Sequence, residues 1–171
     1  MTQGRLVRVL CESDRASEHE GFVVGIGDGW LLLHWLDPSV VLNGYTALPL
    51  EDVEEVTLLL ASESVAVAAL ERRGVRPVPL PEIELDDVPS LLASAERRFP
   101  LVTVHRDRSD PGVCVIGRVA HLGEESFILR QVSPAGRWDD SGGYRYDDVT
   151  RIDFGGGYEQ ALAYVAGEPA P

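Results

Sequence analysis

Short apolar runs alternate with polar, turn-rich stretches along most of the chain, a pattern typical of β-strands. A first set of five predicted strands comprises RLVRVLCE (5–12), GFVVGI (21–26), WLLLHWL (30–36), YTALPL (45–50) and EDVEEVTLLL (51–60). A second set comprises LVTVHR (101–106), VCVIGRVAHL (113–122), SFILRQVS (126–133), GYRYD (143–147) and VTRIDF (149–154). The stretch AGRWDDSGG (135–143) is rich in turn formers and predicts a loop.

The two sets align with each other at a spacing of 96 positions. Gly21 aligns with Gly117, Val23 with Val119 and Pro38 with Pro134. After a change of loop length, GYTALPLEDVEEVTL (44–58) aligns with GYRYDDVTRIDF (143–154). Apolar and turn positions agree in order, so the sequence predicts an internal duplication.

Three helices are predicted beside the strands, at residues 62–74, 90–99 and 157–167. The segment VRPVPLPEIELDDVP (75–89) carries repeated prolines and predicts an extended, semi-stiff spacer. We therefore predict a mainly β fold with accessory helices. It comprises a first five-stranded barrel with its helix (1–75), a linker with a helix (76–100), and a second barrel with a C-terminal helix (101–171).

The five-strand order, the glycines between long strands and the closing NGYTALPLEDVEEVTL (43–58) resemble the Sm-like (LSm) family of small SH3-like β-barrels. The resemblance covers residues 5–60 and 101–155. It implies two tandem barrels that pair their outer strands side by side, within the chain, with other chains, or both. The second half also resembles an uncharacterised bacterial group through VCVIGRV (113–119), Trp138 and YRYDDVTRIDFGGGYEQAL (144–162).

The residues by which Sm-like proteins bind RNA are not matched in either half. An Asp–Asn pair is expected near the third strand, where this chain has Asp37-Pro38-Ser39 and Ser133-Pro134. An Arg–Gly pair is expected near the fifth strand, where Val56-Thr57 and Ile152-Asp153 stand instead. The net charge of −13, from 15 arginines, no lysine and 28 acidic residues, also opposes binding to phosphates.

Two glycine-rich stretches invite comparison with phosphate-binding loops. GFVVGIGDGW (21–30) is followed by a strand rather than a helix, and therefore predicts a β-turn or bulge. FGGGYEQAL (154–162) lies between a strand and a helix, so the amides of Gly156 and Gly157 are candidates to face an anion. A glycine corner that folds the last helix onto the sheet is the competing explanation.

The spacing of the cysteine, histidine and serine residues gives little indication of catalytic activity. Cys11 and Cys114 are predicted to be small buried hydrophobes rather than a disulfide. If DRSDPG (107–112) is a hairpin turn, His105 and Cys114 lie on paired strands, close enough to be tested for metal or nucleophilic chemistry. No close metal-ligand spacing and no nucleophile elbow is present, so we expect no enzyme activity, no catalytic residue, no metal and no cofactor.

Aromatic side chains supply the candidate binding residues, which are Trp35, Tyr45, Trp138 and Tyr144. Alternation places Trp35 with Leu31 and Leu33 on one face of its strand, and Leu32, His34 and Leu36 on the other. Because both faces are apolar, we expect one to pack against a helix, the other half of the chain or another chain. Trp138 is either a recognition anchor or a lid folded onto the protein.

The sequence thus favours a non-catalytic module for protein interaction or assembly, with self-association into a homo-oligomer. The alternatives are an RNA-binding Sm-like protein and a binder of a small ligand or anion. Arg118, Arg130 and Arg151 on one wall of the sheet would favour an anion or RNA site. No apolar segment reaches about 18 residues and the start lacks a secretion signal, so a cytoplasmic location without membrane contact is expected.

Overall fold

The computed structural model describes residues 4–14, 17–62 and 64–169. These residues form ten strands, three α-helices and two short 3-10 helices (Leu50–Asp52 and Tyr146–Asp148). The strands are β1 (Leu6–Cys11), β2 (Glu18–Ile26), β3 (Trp30–Leu36), β4 (Leu42–Pro49), β5 (Val53–Leu58), β6 (Val102–His105), β7 (Cys114–Leu122), β8 (Ser126–Val132), β9 (Trp138–Arg145) and β10 (Arg151–Phe154). The helices are α1 (Val65–Arg72), α2 (Val88–Arg98) and α3 (Gly157–Ala166). The predicted mainly β fold is confirmed.

All ten strands belong to one antiparallel sheet, in the order β5-β1-β2-β3-β4-β10-β6-β7-β8-β9. The expectation that each half closes its own barrel is wrong, because the sheet is not closed. In the described part of the chain, β4 pairs with β10 of the other half instead of returning to β5. The backbone groups on the outer edge of β4 are therefore satisfied by the second half.

The two halves repeat one pattern of strand pairing. Gly21 lies opposite Trp35 and Gly117 opposite Gln131, a shift of 96 positions on both strands. Leu31 opposite Leu48 and Phe127 opposite Tyr144 keep the same shift. Irregularities in register also recur at equivalent positions, between Val23 and Gly25 and between Val119 and His121. Strands of the two halves stay grouped within the sheet, and the duplication itself remains a prediction.

The predicted loop at 135–143 is wrong over most of its length, because Trp138–Arg145 form β9. The turn is shorter, and Ser133 N donates to Arg137 O at 2.8 Å across it. Among the strands that the structure describes, β9 is an edge strand that pairs only with β8. Most of its residues are exposed, so it lacks the apolar alternation by which a strand is predicted.

Both faces of β3 are covered within the chain. Leu31 and Leu33 pack in a core confined to the first half, with Val7, Val9 and Leu48 among its members. Leu32 belongs to a larger core that the two halves share. That shared core includes Leu85 of the linker, Leu91 and Leu92 of α2, Ala47 of β4, and Val104, Phe127 and Ile152 of the second half. The sequence predicts that one face of β3 packs against a helix, the other half of the chain or another chain. The linker, α2 and the second half together cover that face, which carries Leu32.

The linker packs on the sheet instead of acting as a free spacer, and this explains the glycines of GDG. Gly29 N and Trp30 N both donate to Leu85 O, at 3.1 and 2.9 Å. A Cβ on Gly27 would lie 2.4 Å from Leu85 O, and one on Gly29 would lie 2.3 Å from Asp86 O. The glycines thus allow the linker backbone to cross the tip of the β2–β3 hairpin.

The remaining helices cover smaller clusters. α1 buries Val67 and Leu70 against Leu6 and Leu36, and Ser64 caps its first turn by accepting from Val67 N. α3 buries Leu162 against the second half and ends at Gly167, as the sequence predicts. No helix among the described residues is long and apolar enough to cross a membrane.

Candidate functional site

The joint between β4 and β10 brings the two halves together with opposite chemistry on its two faces. Ala47 lies opposite Ile152 and Tyr45 opposite Phe154. Ile152, Phe154 and Ala47 have no exposed area, and Tyr45 is 8% exposed. Between these pairs Asp153 lies opposite Thr46, on the other face of the sheet. The joint is therefore apolar on one side and polar on the other.

Glycines let the backbones of the joint approach closely at the start of β4. Gly44 has φ +77°, and a Cβ there would lie 2.4 Å from Gly156 N. The Asn43 side chain caps α3 from the other half, because Gly157 N donates to Asn43 Oδ1 at 2.8 Å. Since the Gly157 amide is already bonded, the arrangement supports the corner explanation of FGGGYEQAL over an anion site.

A network of charged side chains occupies the polar face of the joint. The guanidinium of Arg151 contacts Asp14 Oδ2 through Nη1 at 3.2 Å and Asp153 Oδ2 through Nε at 3.2 Å. His105 Nε2 is bonded to Asp153 Oδ2 at 2.8 Å. Nη2 of Arg151 lies 3.0 and 2.9 Å from the two ring nitrogens of His105. One arginine thus links residues from β6, β10 and the β1–β2 connection.

Burial and the charges of the network together set the charge states of Asp153 and of the neighbouring His19. Burial acts to raise the pKa of Asp153, but the hydrogen bond from His105 and the charge of Arg151 outweigh it, and the pKa is lowered. Burial lowers the pKa of His19, and the positive charge of Arg151 lowers it further. Asp153 is therefore a carboxylate and His19 a neutral imidazole near pH 7.

Two buried polar atoms in this region form no hydrogen bond within the described part of the chain, Nε2 of His19 and Oδ1 of Asp153. His19 is 4% exposed. Nε2 of His19 lies 3.6 Å from Asp14 Oδ2, beyond hydrogen-bonding distance. An unpaired buried nitrogen costs free energy, so a partner that fills this position would be favoured.

A pocket of about 390 Å³ opens on this face of the joint. Its polar lining includes His19, Arg151, Asp153 and Glu159, and its aromatic lining includes Trp35, Tyr45, Phe154 and Tyr158. Glu159 Oε1 accepts a hydrogen bond from Thr103 Oγ1 at 2.6 Å. Both halves contribute to the pocket, so it exists only because β4 pairs with β10.

The structure brings two of the four predicted binding residues to this pocket, Trp35 and Tyr45. Trp138 lies elsewhere, where its indole nitrogen donates to Gly167 O at 3.1 Å and its ring packs in the cluster beneath α3. Tyr144 packs on Phe127 at 5.7 Å between ring centroids. Trp138 is thus folded back onto the protein, which is the simpler of its two explanations.

The three arginines that would favour an anion or RNA site do not form a basic wall. Arg118 and Arg130 lie opposite each other on β7 and β8, and their guanidinium carbons are 5.6 and 5.9 Å from the centroid of the Trp138 ring. Arg118 is paired with Glu168 at 2.8 Å. Arg151 is held by the two carboxylates described above, so two of the three charges are already compensated.

His105 and Cys114 lie directly opposite each other on β6 and β7, as predicted. Cys114 is exposed, however, so its expected burial is wrong, whereas Cys11 is buried. Desolvation and the charge of Asp153 raise the pKa of Cys114, and burial raises that of Cys11 to about 12. Both thiols are therefore protonated near pH 7, which disfavours a nucleophilic role. The described residues contain no group of three or more His, Cys, Asp or Glu side chains suited to hold a metal ion.

Sequence reasoning missed Asp14, His19 and Glu159 as members of this site. They are scattered along the chain, in the β1–β2 connection, on β2 and on α3, and the pairing of the two halves brings them together. One local signal was present, because Arg151 and Asp153 alternate with the fully buried Ile152 and Phe154 in a strand at the centre of the sheet. Charged residues on one face of a central strand indicate a polar site.

Comparisons of this chain with protein-family models, with curated proteins and with solved structures find no match. Function is therefore inferred from the geometry of the described residues.

Proposed function

We propose that this protein is a non-catalytic assembly module, in which copies of the chain join edge to edge by repeating the internal β4–β10 joint. The observation that carries the proposal is the sheet order. β10 holds the place in the second half that β5 holds in the first, and β9 holds the place of β4. Among the described strands, β5 and β9 form the two unpaired edges of the sheet. They are the counterparts of β10 and β4, which pair with each other in the internal joint.

The internal joint supplies a register for the joint between copies. Ala47 lies opposite Ile152 and Tyr45 opposite Phe154 in the internal joint. A shift of 96 positions on each strand places Val56 of one copy opposite Gly143 of the next, and Leu58 opposite Ser141. Val56 is 47% and Leu58 39% exposed, whereas Ile152 and Phe154 have no exposed area. Pairing would therefore remove apolar surface from water on an edge that now exposes it.

Charge supports the same register. It places Glu54 of one copy opposite Arg145 of the next, and residues of opposite charge that face each other across two strands attract. Within its own chain Arg145 lies 3.5 Å from Asp147 and 3.7 Å from Glu125, which are exposed pairs of low strength that a cross-strand pair can replace. Asp139 and Asp140 fall opposite Leu60 and Leu59, so no two acids face each other there. In a chain of net charge −13, many other registers would place acidic residues of the two copies opposite each other.

The joint would be head to tail, because one copy uses β5 and the next uses β9. Head-to-tail contacts generate closed rings or open filaments. The resemblance of each half to the Sm-like family supports this proposal, since barrels of that family pair their outer strands into rings. RNA binding gains no comparable support, because Arg118 and Arg151 are paired with carboxylates.

Exchange of the two facing charges tests the proposal. We expect the native chain to sediment as a particle larger than its 18.7 kDa monomer. Glu54→Arg and Arg145→Glu should each weaken association by about fivefold, because a change of about 1 kcal/mol at one cross-strand pair has that effect. The double variant E54R/R145E should restore it.

Glu96→Arg on α2 is the matched control, since it makes the same change of charge at an exposed position of a helix that packs on β6 and β7, away from both edges. Sedimentation velocity over a range of concentrations measures all four variants beside the native protein. A native chain that stays monomeric at high concentration would refute the proposal, as would a double variant no better than the single ones.

A further inference from the structure

The acidic side chains of the pocket at the joint are hydrogen-bond acceptors, whereas its donors include the neutral groups of Ser17, Asn43, Thr46 and Tyr158 and the paired guanidinium of Arg151. Asp153 is a carboxylate, His19 is a neutral imidazole with an unpartnered Nε2, and Glu159 accepts only from a neutral hydroxyl. Glu159 has no cationic partner among the residues that the structure describes. A ligand that fits such a lining must bring donors of its own.

The charges within the described lining are negative on balance. Arg151 is shared by Asp153 of the lining and by Asp14 behind it, so the three groups together retain one negative charge. Glu159 adds another, Glu18 is paired with Arg8, and His19 adds none because it is neutral. A pocket of this sign attracts cations and repels phosphates and carboxylates.

Aromatic rings complete the pocket. Trp35 is half-buried and Tyr158 is 55% exposed, and both line the opening. Aromatic faces bind apolar groups and also attract cations through the ring quadrupole. The volume of about 390 Å³ lies near the lower end of the range for small-molecule sites, about 300–1,000 Å³.

We propose that this pocket binds a small organic cation, in which an ammonium or guanidinium group is carried on an aromatic or apolar body. The cationic group lies beside Asp153 and Glu159, within reach of the unpartnered His19, and the body packs on Trp35 and Tyr158. This inference does not depend on the assembly proposed above, since the whole pocket is formed within one chain.

An anion fits the site less well, because the Gly157 amide and the Arg151 guanidinium already have partners. A neutral ligand would leave the negative charge of the pocket uncompensated. The sign of the ligand's charge is therefore the property that an experiment must isolate.

Three probes share one aromatic body and differ in charge: tyramine is cationic, 4-ethylphenol is neutral and 3-(4-hydroxyphenyl)propionate is anionic. Isothermal titration calorimetry of the native chain should show tyramine binding at least tenfold more tightly than either of the others. Glu159→Gln keeps the shape of the side chain but removes its charge, and should weaken tyramine binding by about tenfold. Glu168→Gln, an exposed acid that pairs with Arg118 and lies outside the pocket lining, should leave it unchanged.

Tyr158→Ala provides a second test at a side chain that is largely exposed, where the change should not prevent folding. It should weaken tyramine binding while circular dichroism remains that of the native protein. Equal binding of all three probes, tighter binding of the propionate, or no tyramine binding up to millimolar concentration would each overturn the proposal. So would equal binding by E159Q and the native chain.

Discussion

Substitution of Gly44 by alanine tests the geometry on which the joint depends. Gly44 lies at the start of β4 with φ +77°, a conformation that disfavours residues with a side chain. The new Cβ would lie 2.4 Å from Gly156 N and 2.7 Å from Gly156 Cα. Both atoms belong to backbone, so no flexible side chain is available to move aside. The substitution should therefore force β4 away from the β10–α3 corner.

Two costs add at this position. Holding alanine in the left-handed region costs about 1 kcal/mol. Inserting a methyl group into closely packed backbone costs about 1–3 kcal/mol more. The free energy of unfolding should thus fall by about 2–4 kcal/mol, which is a large part of a total that is typically about 5–15 kcal/mol. In a chain of this length the midpoint of thermal unfolding should fall by about 10 °C.

Gly74→Ala is the matched control, because Gly74 has φ +66° and a Cβ there would meet nothing within 4 Å. It carries the conformational cost alone, about 1 kcal/mol. Urea unfolding followed by circular dichroism gives both free energies. If Gly44→Ala costs no more than Gly74→Ala, the close approach of Gly44 to Gly156 is refuted, and with it the tight joint between the halves.

Two further predictions concern the core and the linker. Cys11 has a pKa of about 12 in the folded protein against 9.0 as a free thiol, so its contribution to stability is complete below pH 9.0 and is lost as the pH rises. The native chain and Cys11→Ala differ in their free energy of unfolding, and the advantage of the native chain should fall by about 2 kcal/mol between pH 9 and about pH 10.5 in reducing buffer. A difference that stays constant over this pH range would contradict the prediction. Gly27→Ala should cost about 2 kcal/mol more than Gly123→Ala in urea unfolding, because its Cβ would lie 2.4 Å from Leu85 O, whereas that of Gly123 would lie 3.1 Å from Ser126 O. Equal costs would show that the linker does not cross the β2–β3 hairpin as described.

Strands with a buried face were predictable because burial leaves an apolar signature in the sequence. β3 is the clearest case, since Leu31, Leu32 and Leu33 are apolar on both faces and all three are buried. β9 carried no such signature, because an edge strand in contact with water needs no apolar alternation. Its polar residues therefore predicted a loop.

The partner strand of β4 could not be predicted from the local sequence pattern. An edge strand such as β4 presents the same backbone groups to any partner, whether β5 of its own half or β10 of the other. The choice depends on distant features, among them Gly44 against Gly156 and Asn43 as the cap of α3. These lie more than 100 positions apart in the sequence and have no meaning until the chain has folded.

The polar pocket could not be predicted from the sequence for the same reason. Asp14, His19, Arg151 and Asp153 have no spacing that resembles a known site, and only the pairing of β4 with β10 brings them together. Two of the four aromatic candidates line the pocket and the other two pack within the protein, because aromatic residues near turns also serve packing. Trp35 reached the pocket, whereas Trp138 closes the cluster beneath α3.

Assembly of copies and binding of a cation require different features of a β4–β10 type of joint. The residues at equivalent positions in the two halves show which of these features a joint between copies would have. A joint between copies would repeat the backbone pairing, but at the positions equivalent to Trp35, Tyr45 and Arg151 the chain has Gln131, Ser141 and Glu55. The joint between copies would therefore lack the aromatic wall and the central arginine. Strand pairing needs only backbone groups and a matching face, so it tolerates these changes, whereas a pocket does not. It follows that an assembly of any size would carry one pocket per chain, at the joint within each copy.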